Sequence, residues 1–130
     1  MKQGRILIVD DQPAVLEVMK EILDSEGYQT VATSSGEEAL QLANQAFDLL
    51  LADIVMPQMG GLELIRAFRE VSPDTVPMLI TGFASVETAR EALDQGVYDY
   101  IVKPVDRDKL CNAVAKALAR KKLARGTDNS

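Results

Sequence analysis

The sequence contains no histidine and no tryptophan, and it has only three phenylalanines and three tyrosines. The missing histidine removes the commonest general base and zinc ligand of proteins, so chemistry that uses an imidazole needs a histidine from another protein. The single cysteine, Cys111, excludes an internal disulfide. The sequence therefore indicates neither a disulfide-stabilised domain nor a histidine-based site of its own.

Long apolar runs and an excess of positive charge are also missing. The longest apolar stretches have the length of strands, and Met-Lys-Gln-Gly leads directly into one of them without a signal-peptide region. Twenty acidic residues against 14 basic ones give a net charge of -6, which argues against a broad basic face for nucleic acid. We expect a cytoplasmic domain that binds neither membrane nor nucleic acid.

The length and the charge distribution suggest one domain with a short tail. A chain of 130 residues with 47% hydrophobic residues suits a single core. We predict a domain over residues 1–124 and a polar tail over 125–130, frayed from Gly126 onward. The basic run Arg120-Lys121-Lys122 with Arg125 suits the negative end of a last helix, and a linker to an effector domain or a dimer contact is the alternative.

Short β-branched runs alternate five times with segments of helical period, which is typical of a parallel sheet covered on both faces. The predicted strands are Arg5 to Asp10, Tyr28 to Thr33, Asp48 to Asp53, Val76 to Thr81 and Tyr98 to Val102. Ile6 to Val9 and Leu49 to Ala52 are apolar at every position, so we expect these two strands to be central. The pattern predicts an α/β fold with a five-stranded parallel sheet, and we take its strand order to be 2-1-3-4-5, that of a flavodoxin-like doubly wound (βα)5 fold.

The segments between the strands carry amphipathic patterns of unequal strength. Ser35 and Glu38 form a capping-box signature at the start of the second helix. The fourth helix is the weakest, because its candidate inward residues, Val86, Ala89 and Leu93, bury little area. We expect it to be the least firmly packed helix.

Polar residues close the strands at the edge where ligands bind in open parallel sheets. Asp10-Asp11 follows the first strand, Asp53 closes the third, Thr81 closes the fourth and Lys103-Pro104 follows the fifth. In the predicted strand order these residues meet in one cleft. Each alone has an ordinary explanation as a helix cap, a strand-end hydroxyl or a solvated lysine, but their common position favours a site.

The chemistry of this set suits a divalent cation and a phosphoryl group. Three close carboxylates repel one another, and a hard cation such as Mg²⁺ relieves that repulsion while keeping room for a phosphate oxygen. A lysine ammonium and a threonine hydroxyl can bind the other phosphoryl oxygens. Such a set neutralises charge on a transferring phosphoryl group.

At these positions the chain resembles the receiver domain of bacterial two-component response regulators. The resemblance rests on Asp10-Asp11, the run from Asp53 to Gly61, Thr81-Gly82 and Lys103-Pro104. It implies that Asp53 is the phosphoacceptor and that Lys103 and Thr81 bind the phosphoryl oxygens. It also implies Mg²⁺ or Mn²⁺ held by Asp10, Asp11, Asp53 and the backbone carbonyl of Val55.

The resemblance extends to a conformational switch. It gives Tyr100 the role of the aromatic residue that turns inward as the Thr81 hydroxyl moves toward the phosphate, with a half-buried strand tyrosine as the alternative. It also implies a cis peptide bond at Lys103-Pro104. Gly60 departs from the acid that many members carry, for which we expect altered loop flexibility without loss of chemistry. Phe83 has two explanations, a screen against water or a loop aromatic packed on its own turn.

The implied activity is that of a signalling substrate and not of an enzyme. The donor would be a phosphohistidine on a sensor histidine kinase or a histidine phosphotransfer protein. The face formed by the fourth helix, fifth strand and fifth helix would then change and contact an effector domain or partner protein. Val55 disfavours an aspartyl-phosphate phosphatase, which needs an acid at that position, and Asp10-Asp11 disfavours a flavodoxin-type cofactor site. A receiver that binds partners without phosphorylation remains an alternative.

Overall fold

The computed structural model describes residues 4–82, 86–97 and 99–128, and within these ranges five strands alternate with five helices. The strands are β1 (Arg5–Val9), β2 (Gln29–Thr33), β3 (Leu49–Asp53), β4 (Val76–Thr81) and β5 (Asp99–Val102). The helices are α1 (Pro13–Ser25), α2 (Gly36–Gln41), α3 (Gly61–Val71), α4 (Val86–Asp94) and α5 (Arg107–Asp128), and a short 3-10 helix (Ala43–Gln45) follows α2. All five predicted strands are present, and within the described residues their ends differ from the predicted ends by at most one residue.

The strands form one parallel sheet with the order β2-β1-β3-β4-β5, which confirms the predicted flavodoxin-like doubly wound topology. The two strands predicted to be central, β1 and β3, lie inside the sheet, and every residue of β3 is buried. Continuous apolar sequence is what a strand covered on both faces requires.

Successive side chains of each strand enter two separate cores, because neighbouring residues of a strand point to opposite faces. Leu7, Leu50 and Leu79 pack with Phe68 of α3 on one face. The other core contains Ile6, Ile8, Leu49 and Leu51 of the strands, Met19 and Leu23 of α1, and Leu110 and Val114 of α5. The sheet is thereby held between α2, α3 and α4 on one side and α1 and α5 on the other.

The packing of α4 differs from the prediction at one residue. Leu93, predicted to face inward, is 75% exposed, whereas Ala92 is 4% exposed and Ala89 is half-buried. Adjacent helical residues lie about 100° apart around the axis, so the helix presents Ala92 to the core and turns Leu93 toward solvent. The Val86 side chain lies outside the described part of the chain. Ala92 buries little apolar area, and the weak packing of α4 stays a prediction.

One half of the predicted capping box, the Ser35 cap, is present at the start of α2. The Ser35 hydroxyl accepts a hydrogen bond of 3.2 Å from the Glu38 amide, as a capping residue should. The Glu38 carboxylate in turn accepts a hydrogen bond of 2.7 Å from the Thr33 hydroxyl. The first turn of α2 is therefore tied to the end of β2.

The last helix is longer than the sequence predicts. Residues 126–128, expected to fray, are helical, because one glycine costs a helix only about 1 kcal/mol and no proline follows it. The domain limit at residue 124 stays a prediction.

Within the basic run, the Lys121 ammonium lies 2.9 Å from an oxygen of Asp48, and its side chain is only 10% exposed. Lys121 thus fastens α5 to the start of β3. Among the helices that the structure describes, none has the combined length and apolar character needed to cross a membrane.

Candidate functional site

Three carboxylates lie together at the carboxyl edge of the sheet. Asp10 and Asp11 follow β1 and Asp53 ends β3, and one oxygen from each lies within 4.8 Å of the other two. Asp10 is fully buried, Asp53 is 4% exposed and Asp11 is half-buried. The neighbouring positions of β1 and β3 in the sheet cause this clustering, as the strand ends predict.

Lys103 supplies the positive charge of the cluster. Its ammonium nitrogen lies 3.0 Å from Asp10 Oδ2 and 3.0 Å from Asp53 Oδ2, and its side chain is 14% exposed. The Lys103 amide donates a hydrogen bond of 2.7 Å to the Thr81 carbonyl, and the Lys103-Pro104 peptide bond is cis. The backbone after β5 is therefore held against the end of β4, and the lysine reaches the two buried acids from there.

The carboxylate oxygens that do not face Lys103 accept backbone hydrogen bonds. Asp10 Oδ1 accepts a bond of 2.9 Å from the Gln12 amide, and Asp53 Oδ1 accepts one of 3.2 Å from the Val55 amide. Asp10 Oδ2 is different: Lys103 is close enough to form an ion pair, but no donor in residues 4–82, 86–97 or 99–128 gives it a well-directed hydrogen bond. A buried carboxylate oxygen without a hydrogen bond can accept a further positive ligand.

Burial and neighbouring charges shift the pKa values of Asp53 and Lys103. Burial raises the pKa of Asp53 and the charge of Asp10 raises it further, while the hydrogen bond and charge of Lys103 lower it only in part. Burial lowers the pKa of the Lys103 ammonium, but its contacts with Asp53 and Asp10 outweigh that effect and leave the pKa raised. The lysine thus stays charged, whereas the negative charge of Asp53 is incompletely compensated.

The donor set fits a hard divalent cation. Asp10, Asp11 and Asp53 provide carboxylate oxygens, the ligands that Mg²⁺ and Mn²⁺ prefer. The under-bonded Asp10 Oδ2 and the raised pKa of Asp53 both indicate that Lys103 alone does not balance the negative charge. Val55, whose carbonyl the resemblance adds to the set, follows in the loop after β3, and its side chain is 60% exposed.

The two residues assigned to a switch lie on the next strands. Thr81 ends β4 and is 1% exposed. Tyr100 of β5 is 40% exposed and pairs in register with Leu79, which belongs to the core beneath α3 and α4. Thr81 therefore lies at the carboxyl end of β4, between the strands that lead to Asp53 and Lys103, and the switch role of both residues stays a prediction. Phe83 lies outside the described residues.

The loop after Asp53 is confined by space at two glycines. A Cβ added to Gly61 would lie 2.3 Å from the Asp53 carbonyl oxygen, and one added to Gly60 would lie 2.8 Å from the Ile54 carbonyl oxygen. Gly60 has an ordinary φ of -77° at the N-cap of α3, so no special backbone conformation requires glycine there. The close approach of α3 to the backbone of Asp53 is what requires glycine at position 61.

One residue of the cleft has no role in the sequence prediction. The Lys103 ammonium donates a hydrogen bond of 2.6 Å to Gln12 Oε1, across a separation of 91 residues. Gln12 is also the N-cap residue of α1, and its side chain makes no capping hydrogen bond. Glutamine at a position that favours serine, threonine, aspartate or asparagine was the available signal.

Fold and site together define a class, the doubly wound α/β domains with an aspartate cluster and a lysine at the carboxyl edge of the sheet. Comparison with known proteins specifies the family: residues 6–115 match the model of the response regulator receiver domain. The chain therefore belongs to the response regulator receiver domain family.

Among curated proteins the chain is similar to transcriptional regulatory proteins. It is 36% identical over 124 residues to ZraR of Klebsiella oxytoca, covering 95% of this chain and 28% of the relative. It is 37% identical over 123 residues to the alginate biosynthesis regulator AlgB of Pseudomonas aeruginosa, covering 94% of this chain and 27% of the relative. The chain thus spans little more than a quarter of the length of these relatives.

Solved structures agree with this placement. A receiver domain protein from Methanospirillum hungatei JF-1 shares 34% identity at a TM-score of 0.89, with 95% of this chain and 99% of that chain covered. NtrX from Brucella abortus, solved in complex with ATP, shares 30% identity at a TM-score of 0.90, with 96% of this chain but only 29% of that chain covered. The match to NtrX is again confined to one part of a longer protein.

Proposed function

We propose that the chain is a phosphorylation-dependent signalling switch in which Asp53 is the phosphoacceptor. The observation that carries the proposal is the pairing of one lysine ammonium with two buried carboxylates, 3.0 Å from each, at the carboxyl edge of the sheet. Such an arrangement keeps Asp53 next to a fixed positive charge that a transferred phosphoryl group would also contact.

The proposed chemistry is a direct transfer. An ionised Asp53 oxygen attacks the phosphorus of a phosphohistidine, a new O–P bond forms, and the P–N bond breaks so that the electron pair leaves with the imidazole of the donor. Lys103 and the Thr81 hydroxyl bind phosphoryl oxygens. Because the chain has no histidine, the donor belongs to another protein, a sensor histidine kinase or a histidine phosphotransfer protein.

A divalent cation completes the proposed site. Mg²⁺ or Mn²⁺ held by Asp10, Asp11, Asp53 and the Val55 carbonyl would supply positive charge to the transferring phosphoryl group. The under-bonded Asp10 Oδ2 supports this assignment. The chain then acts as the substrate and timer of a cytoplasmic signal and not as an enzyme with a product of its own.

The output is proposed to leave through the face formed by α4, β5 and α5. Three large apolar side chains on this side, Leu93, Tyr100 and Val102, are 75%, 40% and 47% exposed. Inward rotation of Tyr100 as Thr81 moves toward the phosphate would change this face and its contact with an effector domain or partner protein. The relatives named above are transcriptional regulatory proteins, which supports an effector beyond the receiver.

Intact-mass measurement after incubation with a small acyl phosphate tests the proposal. The wild type should gain one phosphoryl group in Mg²⁺ and none in a chelator, and Asp53→Asn should gain none in either. Asp74→Asn, in an exposed turn, is the matched control and should be modified like the wild type. An unmodified wild type with an intact fold would leave the cleft as a metal or scaffold site.

A further inference from the structure

We propose that Gln12 is a positioning residue that holds the Lys103 ammonium over Asp53; the inference rests on the proposed function. Within the described residues, the ammonium donates hydrogen bonds to Asp53 Oδ2 at 3.0 Å and to Gln12 Oε1 at 2.6 Å, and it forms an ion pair with Asp10 Oδ2 at 3.0 Å. An ammonium has three N–H donors, so Gln12 occupies one of them. Gln12 supplies the neutral acceptor among these contacts.

The backbone around Gln12 is arranged for this contact. The Gln12 amide donates to Asp10 Oδ1 at 2.9 Å, and its carbonyl accepts from the Leu16 amide at 3.1 Å as the first bond of α1. The main chain of Gln12 is therefore fixed to the site on one side and to the helix on the other. Its side chain leaves the cap position unused and reaches the lysine instead.

A neutral acceptor has a specific use in this cleft. A divalent cation held by Asp10 and Asp53 would neutralise part of the negative charge that attracts Lys103. Its own positive charge would also repel the ammonium. The side-chain oxygen of Gln12 (Oε1) belongs to a neutral group and is not one of the clustered carboxylates. It can therefore keep its hydrogen bond to the ammonium when a divalent cation is bound. Gln12 therefore keeps Lys103 where an arriving phosphoryl oxygen needs it, and gives up its hydrogen bond as that oxygen takes its place.

The cap position of Gln12 allows a structural role to be separated from a positioning role. Gln12→Ser removes the acceptor but introduces a preferred N-cap residue, so α1 should be at least as stable as in the wild type. Gln12→Met keeps the length of the side chain and removes only its polar atoms. Gln41→Met, at the exposed end of α2, is the matched control for the same substitution far from the cleft.

Two measurements on these variants decide the matter. With Mg²⁺ and a small acyl phosphate, Gln12→Ser and Gln12→Met should be phosphorylated about three- to tenfold more slowly than the wild type, because the positive charge is less well placed. Gln41→Met should match the wild type. In ¹⁵N NMR spectra with Mg²⁺, the Lys103 ammonium signal, assigned by its loss in Lys103→Met, should be visible in the wild type and broadened by solvent exchange in both Gln12 variants.

The outcomes separate this inference from the proposed function. Gln12 variants that are phosphorylated at the wild-type rate, or that keep an unchanged Lys103 signal, would overturn the positioning role alone. A wild type that accepts no phosphoryl group would overturn the proposed function and this inference with it. Slower phosphorylation in Gln12→Ser together with unchanged or higher stability would support positioning, because a structural defect would lower both.

Discussion

The Lys103 ammonium lies 3.0 Å from Asp53 Oδ2, although 50 residues and a whole intervening strand separate the two residues. The contact exists because β3, β4 and β5 are neighbours with parallel directions, so their carboxyl ends share one edge of the sheet. Lys103 is further fixed by the hydrogen bond from its amide to the Thr81 carbonyl. The topology thus brings an acid and a base together that local sequence keeps far apart.

Removing the Lys103 charge should destabilise the protein when no divalent cation is present. Lys103→Met leaves the buried Asp10 and Asp53 facing each other without a counter-ion, which we expect to cost about 2–3 kcal/mol at neutral pH in a chelator. Urea unfolding measures this change. Mg²⁺ should reduce the loss, since it supplies charge to the same oxygens.

The exposed Lys109 provides the control for that experiment. Lys109→Met should change the free energy of unfolding by less than about 0.5 kcal/mol. An equal loss in both variants, or a Lys103→Met loss that Mg²⁺ does not reduce, would show that the ion pairs do not hold the acidic cluster together.

The raised pKa of Asp53 predicts a pH dependence of stability. Above the ordinary value of 3.8 and up to the raised pKa, the native state holds the proton that the unfolded chain has released. The contribution of Asp53 to stability therefore decreases as the pH rises through this window. Asp53→Asn removes the contribution, so in a chelator the variant should gain stability relative to the wild type across the window and keep a constant difference above it.

Urea unfolding from acid to neutral pH measures the difference, with Asp74→Asn as the exposed control. A difference between Asp53→Asn and the wild type that stays constant with pH, or that reverses in sign, would contradict the raised pKa. For Asp74→Asn, the difference in the free energy of unfolding from the wild type should change much less with pH.

Gly61 should tolerate no side chain. The Cβ of Gly61→Ala would lie 2.3 Å from the Asp53 carbonyl oxygen, so the loop after β3 must shift and Asp53 must shift with it. We expect a loss of about 1–3 kcal/mol in the free energy of unfolding, together with slower phosphorylation. In Gly82→Ala the nearest atom to the added Cβ, among the described residues, is Lys103 Cδ at 4.0 Å, so the stability of this variant should stay close to that of the wild type. Equal stability of the two variants would contradict the close contact.

The exposure of Leu93 predicts that its removal costs little. Leu93→Ala should change the free energy of unfolding by less than about 0.5 kcal/mol, whereas Leu64→Ala, at a fully buried position of α3, should cost about 2–5 kcal/mol. Thermal or urea unfolding distinguishes the two. A large loss of stability in Leu93→Ala would show that the Leu93 side chain faces the core, as the sequence predicts.

The sequence predicts the strands well because burial on both faces leaves little freedom of composition. Ile6 to Val9 and Leu49 to Ala52 are continuously apolar, and the structure places both strands inside the sheet. The members of the acidic cluster were predictable for a related reason, since the strand order alone brings their strand ends to one edge.

Other features depend on packing that the sequence pattern does not encode. The helical spacing allows either Ala92 or Leu93 to face the core, and the structure buries Ala92. The hydrogen bond between Lys103 and Gln12 joins residues 91 positions apart and follows from no periodicity. The continuation of α5 through Gly126 is a further example. Glycine lowers helix stability by only about 1 kcal/mol relative to alanine, so its presence in the sequence does not fix where the helix ends.

The identity of the phosphorylated residue tests the account most directly. The wild type would be treated with an acyl phosphate and Mg²⁺ and then with borohydride, which reduces an aspartyl phosphate to homoserine and leaves free carboxylates unchanged. Peptide masses should place homoserine at position 53, with Asp10 and Asp11 intact. Homoserine at position 10 or 11, or a phosphorylated protein without homoserine at position 53, would contradict the assignment of Asp53 as the phosphoacceptor.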